Sequence, residues 1–191
     1  MITGLYFGSF NPIHIGHLAI ASFMVEYSEL EQMWFVVSPQ NPLKEKKSLL
    51  KDYHRLEMVR LAVEDDDRFR ASDIEFKLPT PSYTIDTLAY LEEKHPGREF
   101  QLVMGADGLR TFHKWKHAEL IVEKYHRLIY PRPGTDLEKV AQFPNATLVD
   151  APMMEISSSL IRQAIKEGKD VRHLVPAGAY RYMREMHFYE K

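Results

Sequence analysis

Five short apolar runs, at residues 2–7, 33–37, 100–104, 127–130 and 146–149, alternate with stretches of helical periodicity along the chain. Glycine, proline, asparagine or aspartate follows each run within a few residues, as expected where strands end. Helical patterns fill residues 15–27, 54–63, 84–94, 118–123, 157–167 and 177–186. Strands separated by helices imply crossovers, and crossovers build a parallel sheet covered on both faces. The expected fold is therefore α/β, a doubly wound, mainly parallel sheet with flanking helices. A chain of 191 residues can bury one substantial core, so residues 1–191 are expected to form a single domain. Ligands of such sheets bind beyond the carboxyl ends of the strands. The residues to inspect are those just after Phe7, Val37, Met104 and Tyr130.

Several function classes are excluded before any motif is read. No apolar run reaches 18 residues, so no membrane span is expected. The opening MITGLYFGSF lacks a basic segment and a cleavage site, and reads as a strand. Cysteine is absent, which removes disulfides and thiolate zinc sites and fits a cytoplasmic location. With 25 basic against 27 acidic residues there is no basic excess, so nucleic-acid binding is disfavoured. A small anionic ligand needs only a few local donors and stays open. A homo-oligomer is compatible with this composition.

After the first strand comes Gly8-Ser9-Phe10-Asn11-Pro12-Ile13-His14-Ile15-Gly16-His17. Gly8 allows close backbone approach to a ligand, and Asn11-Pro12 makes a turn. His14 and His17 are three apart at a helix start, so they project on one side. Two imidazoles beside free N–H groups and the positive end of a helix dipole suit a phosphate. Neither GxxxxGK[ST] nor GxGxxG is present here. A metal pair and a pair of structural histidines are the competing readings. The segment resembles the GxFxPxHxGH signature of the nucleotidyltransferase superfamily, with Asn11 where relatives commonly carry aspartate. Its four letters HIGH also occur in class I aminoacyl-tRNA synthetases. The resemblance implies a Rossmann-like fold and assigns His14 and His17 to ATP phosphates, as stabilisers of developing charge.

A second element, Ile156-Ser157-Ser158-Ser159-Leu160-Ile161-Arg162, opens a helix with Leu160, Ile161, Ala164 and Ile165 as its apolar stripe. Gly168 is placed to end it. One serine can be an ordinary N-cap. Three serines and an arginine offer more, because hydroxyls, free N–H groups and Arg162 together suit a diphosphate. The element resembles ISSTxxR of the same superfamily, with Ser159 in place of threonine.

The middle of the chain carries Ser82-Tyr83-Thr84-Ile85-Asp86-Thr87-Leu88, then Gly105-Ala106-Asp107, then Phe112-His113-Lys114-Trp115, then Arg132-Pro133-Gly134. Trp115 sits in a polar context, and reads either as core or as a stacking surface for a planar heterocycle. His113 and His117 have the spacing of a helical metal pair, but the lysines between them favour a solvated face. In this order, and with the closing Val171-Arg172-His173-Leu174-Val175-Pro176, the segments are similar to those of bacterial nicotinate mononucleotide adenylyltransferases.

That resemblance covers nearly the whole chain. It implies transfer of AMP from ATP to nicotinate mononucleotide, giving nicotinate adenine dinucleotide and pyrophosphate. Gly8, Ser9, Phe10, His14, His17, Gly105, Asp107, Ser157, Ser158, Ser159 and Arg162 would bind ATP, with the helical part from about residue 156 completing that site. Lys44, Ser82, Tyr83, Thr84, Asp107, Trp115, Lys116 and Arg132 would bind the acceptor. Leu43 departs from the histidine that relatives often place there. Mg²⁺ would be held through the triphosphate and not by protein side chains. The alternatives are an adenylyltransferase with nicotinamide mononucleotide or phosphopantetheine as acceptor, a cytidylyltransferase, or a nucleotide-binding regulator without chemistry.

Overall fold

The computed structural model describes residues 1–39, 49–140 and 142–190. Its six strands are β1 (Ile2–Gly8), β2 (Gln32–Val37), β3 (Phe69–Ser72), β4 (Glu99–Gly105), β5 (Arg127–Tyr130) and β6 (Ala146–Leu148). All pairings between them are parallel, in the order β3-β2-β1-β4-β5-β6. The helices are α1 (Ile15–Glu26), α2 (Asp52–Val63), α3 (Thr84–Lys94), α4 (Leu109–Phe112), α5 (Ala118–Lys124), α6 (Leu137–Val140), α7 (Ser158–Lys166) and α8 (Ala177–Glu185). The expected doubly wound sheet is present, and it is wholly parallel among the described residues.

Alternation along each strand divides the core into two layers. Tyr6, Met33, Phe35, Val37, Val103, Leu128 and Tyr130 point to one face, against buried residues of α1, α2, α7 and α8. Leu5, Trp34, Val36, Leu102, Met104 and Ile129 point to the other, against α3, α4 and α5. Helix α1 buries Ile20, Ala21 and Met24, a stripe at helical spacing turned toward the sheet.

Two expectations need correction. No strand was expected at β3, whose four residues hold only two apolar side chains, Phe69 and Ala71, too few to stand out as a run. It is a short edge strand paired only with β2. In α7, Ile161 and Ile165 are buried, but Leu160 is 50% exposed and leaves the expected stripe. Gly168 ends that helix as expected, with φ +70 and with the Lys169 amide returning to the Ala164 carbonyl at 2.8 Å.

Strand order reverses between β1 and β4, so the loops leaving them diverge and open a crevice. The HxGH loop leaves β1 there, and Gly105-Ala106-Asp107 leaves β4 beside it.

Candidate active site

The crevice is a cleft with two lobes. One, of about 440 Å³, is lined by Gly8, Ser9, Phe10, His14, His17, Asp107, Arg132, Ser157, Ser158, Ser159 and Arg162 among others. The other, of about 400 Å³, is lined by Ser82, Tyr83, Thr84, Gly105, Asp107, Trp115 and Lys116 among others. Tyr6, Phe7, Gly8, Ser9, Asp107 and Tyr130 border both. The two groups of residues separated on sequence thus face two adjoining spaces, with two exchanges. Arg132, grouped with the acceptor, lines the first lobe, and Gly105, grouped with ATP, lines the second. Lys44 lies outside the described residues.

The first lobe is built for anions. His14 is the N-cap of α1 and His17 its third residue. The His17 Nδ1 accepts from the His14 backbone N–H at 3.2 Å. A neutral His17 therefore carries its proton on Nε2. The two imidazoles stack at 3.6 Å, and the ring edges of Tyr6 and Phe10 hold His17 from other sides. Gly16 gives this stack room, since a Cβ there would lie 3.0 Å from the His14 Nδ1 and press on its ring. The Leu174 carbonyl accepts the Ile15 N–H at 3.0 Å, so the Val171–Pro176 motif seats the start of α1.

Helix α7 brings a second N-terminus to the same lobe, and its three serines divide the work. Ser157 Oγ caps the Leu160 N–H at 3.2 Å. Ser158 donates to the Pro12 carbonyl at 2.8 Å. Ser159 Oγ accepts from Arg162 at 3.2 Å, and Arg162 also donates to the Asn11 carbonyl at 2.8 Å. In this arrangement Ser158 docks one motif on the other, while the Ser157 and Ser159 hydroxyl protons are not used by these bonds. Two helix N-termini, Arg132, Arg162 and two histidines converge on one space.

His14 is 5% exposed, and burial followed by the nearby Arg132 charge lowers its pKa from 6.5 to about 4. Its Nδ1 is buried without a hydrogen-bond partner among the described residues. Between these two values the unfolded chain binds more protons than the folded one. The contribution of His14 is thus fully present above pH 6.5, is lost as pH falls toward 4, and levels off below. We expect ligand-free protein to lose about 2–3 kcal/mol more stability than His14→Gln between about pH 7 and about pH 4.5. Urea unfolding of both proteins at the two pH values measures this, and equal losses would refute it.

The second lobe has an aromatic wall and a helix N-terminus. Trp115 is half-buried and packs on Phe112 at 5.0 Å, with part of its surface in the lobe. The indole thus packs partly on the core and partly borders the lobe. Helix α3 starts at Thr84, so its first-turn N–H groups border the space. The Lys116 ammonium pairs with Asp86 at 2.9 Å and lies 4.8 Å from the Tyr83 ring centroid. His113 and His117 are exposed, and His117 has left-handed backbone between α4 and α5, so they share no helix face. No group of three residues suited to hold a metal exists among the described residues.

Three features escaped the sequence reading. The Tyr6 and Tyr130 hydroxyls, 3.1 Å apart, form the seam between the lobes. Both fall inside the apolar runs read as strands, near their carboxyl ends. Glu75, 3% exposed, borders the second lobe and accepts from the Thr87 hydroxyl at 3.0 Å. Burial raises its pKa, against hydrogen bonds from Ser38, Thr87 and Ser82 that lower it. The third feature, Arg55, gave a signal: it shares the stripe of Val59 and Val63, four and eight residues on.

Residues 5–164 match the model of the family described as cytidylyltransferase-like. The chain belongs to the cytidylyltransferase-like family. Among relatives of this family member, a probable nicotinate-nucleotide adenylyltransferase of Flavobacterium johnsoniae is 50% identical, with all of each chain covered. Another protein of that name, from Bacteroides thetaiotaomicron, is 48% identical over 96% of this chain and 91% of its own. In structure, the chain is similar to nicotinic acid mononucleotide adenylyltransferase of Plasmodium falciparum complexed with NaAD. That likeness has a TM-score of 0.82 at 20% identity, covering 99% of this chain and 97% of the other, and it shows the shared fold alone. Among the described residues no helix is long and apolar enough to cross a membrane.

Proposed function

We propose that the protein transfers AMP from ATP to nicotinate mononucleotide, releasing pyrophosphate and forming nicotinate adenine dinucleotide. The observation that carries this reading is the cleft itself. An anion-binding lobe with two helix N-termini adjoins a lobe with an indole wall and a third helix N-terminus. The names of full-length relatives at about half identity support the same chemistry.

The acceptor's 5′-phosphate is already an anion, so no general base is needed. Its oxygen bonds to the α-phosphorus of ATP as the bond from that phosphorus to the β-bridging oxygen breaks, and pyrophosphate leaves with the electron pair. The enzyme must align two mutually repelling anions and stabilise the charge that develops. His14 and His17 serve the α- and β-phosphates. Arg162, Ser157 and Ser159 serve the leaving group. Arg132 adds a cation to this lobe, opposite Asp107 at 3.7 Å. Asp107, bordering both lobes, is placed for ribose.

The α3 N-terminus suits the carboxylate of the pyridine ring, and Trp115 its face. Asp107 is the single carboxylate among the described residues lining the first lobe, so Mg²⁺ fits as an ion carried on phosphate oxygens and water. Bound there, it would neutralise triphosphate charge.

Incubation with ATP, Mg²⁺ and nicotinate mononucleotide should release pyrophosphate, and nicotinamide mononucleotide run in parallel reads the acid preference. No release with nicotinate mononucleotide would sink the proposal. Trp115→Ala should raise the acceptor KM by about tenfold, the equivalent of about 1–1.5 kcal/mol of lost stacking, with ATP KM little changed. An unchanged acceptor KM would remove Trp115 from the site.

A further inference from the structure

Beyond α8 the backbone makes a turn that bulky residues rarely adopt. His187 has φ 54 and Tyr189 φ 66, both left-handed. Such outliers persist where the surroundings over-determine them. Here the Glu190 carboxylate is bonded by His187 Nδ1 at 3.0 Å and by Arg184 at 3.0 Å. The Phe188 ring packs edge-on against His54 at 4.7 Å.

The turn delivers the Tyr189 hydroxyl to Asn11 Oδ1 at 2.7 Å, across 178 positions of sequence. Asn11 is 3% exposed and is a meeting point of segments. Its Oδ1 also accepts from the Leu50 N–H at 3.3 Å, and its carbonyl accepts Arg162. Its neighbour Pro12 accepts Ser158, and its other neighbour Phe10 has φ 43. Residues 9–13 form a loop with no ladder of their own, so side-chain ties fix its course. Tyr189 itself is not among the residues lining either lobe.

We infer that Tyr189 is a positioning residue for the triphosphate lobe, acting through Asn11 on the loop that carries His14 and anchors Arg162. This rests on the proposed reading of that lobe as the ATP site. Burial raises the Tyr189 pKa, so the hydroxyl stays a donor at neutral pH. Because nothing in the second lobe bonds to Tyr189 among the described residues, the effect is one-sided: ATP is held less well and the acceptor is not.

Tyr189→Phe keeps the ring and removes one hydroxyl. Calorimetric titration with ATP should show Kd raised about 3- to 10-fold, the loss of one buried hydrogen bond, with acceptor affinity within about twofold. On an Asn11→Ala background the same substitution should add less than about twofold, because two groups acting in series are not additive. Thermal unfolding checks that all three variants are folded. Wild-type protein that binds no ATP overturns both this inference and the functional reading. Wild-type protein that binds ATP, with Tyr189→Phe binding it equally well or losing both ligands together, overturns this inference alone. Additive losses in the double variant would place Tyr189 in contact with some group other than Asn11, and also overturn it.

Discussion

His17→Ala should lower turnover by about 10²–10³-fold at saturating ATP and nicotinate mononucleotide, the range found when a preorganised donor to developing charge is removed. The structure shows why this side chain is preorganised. The His14 N–H bonded to Nδ1 fixes the neutral tautomer and leaves Nε2–H as the donor. The stack on His14 at 3.6 Å and the edges of Phe10 at 5.1 Å and Tyr6 at 5.9 Å fix the ring plane. No reorientation is then required as charge moves from the α-phosphorus to the leaving oxygen. The truncation also takes away the N-terminal bond of α1, worth about 1 kcal/mol of stability, which leaves the protein folded. Steady-state pyrophosphate release measures the effect. Turnover within a factor of about three of wild type would show that His17 plays no part in charge stabilisation.

How much of this was legible differs between the site's two kinds of residue. In the proposed reading, the histidines and the serine–arginine element stand out because holding phosphates would restrict residue type and spacing, and both constraints survive in a linear sequence. What spacing could not reveal was the division among Ser157, Ser158 and Ser159. Cap, loop tie and arginine partner are identical letters, and only the approach of Pro12 from 146 positions away separates them. Tyr6 and Tyr130 were invisible for a related reason. A tyrosine in an apolar strand reads as core, and both rings are indeed buried on one face of the sheet. Their hydroxyls become a feature of the site only because β1 and β5 flank β4, which brings the ends of all three strands to the same crevice.

The fold was readable wherever burial imposes a period. Strands β1, β2, β4 and β5 are covered on both faces and appear as continuous apolar runs. Helix α3 has the expected bounds, and α1, α2, α5, α7 and α8 agree within one or two residues. Strand β3 was missed because it is only four residues long and carries just Phe69 and Ala71 as apolar side chains, too few to show a run. The four-residue helices α4 and α6 were missed for want of length, since a single turn shows no period.

Arg55→Met should destabilise the protein by about 3–4 kcal/mol, which is large for a residue that touches no ligand. Arg55 is fully buried in α2, and its guanidinium reaches four backbone carbonyls. They belong to Leu50 at 3.0 Å, Ser9 at 2.6 Å, Ser38 at 2.8 Å and Pro39 at 3.2 Å. No carboxylate pairs with it in a salt bridge among the described residues, and desolvation lowers its pKa without discharging it. Four bonds to a charged donor contribute about 1.5–3 kcal/mol each, and burying the cation costs several kcal/mol in return. Methionine recovers the volume and removes that cost, but strands carbonyls of the loops after β1 and β2. Lysine should not rescue the protein, because one ammonium cannot span the fork that Arg55 makes. Ser9 borders both lobes and Ser38 borders the second, so whatever protein folds should show raised KM for both substrates. That two-sided loss contrasts with the one-sided loss expected for Tyr189→Phe. Urea unfolding of Arg55→Met that falls within about 1 kcal/mol of wild type would mean that the loops hold their course without the guanidinium, and that the cleft is framed by the sheet alone.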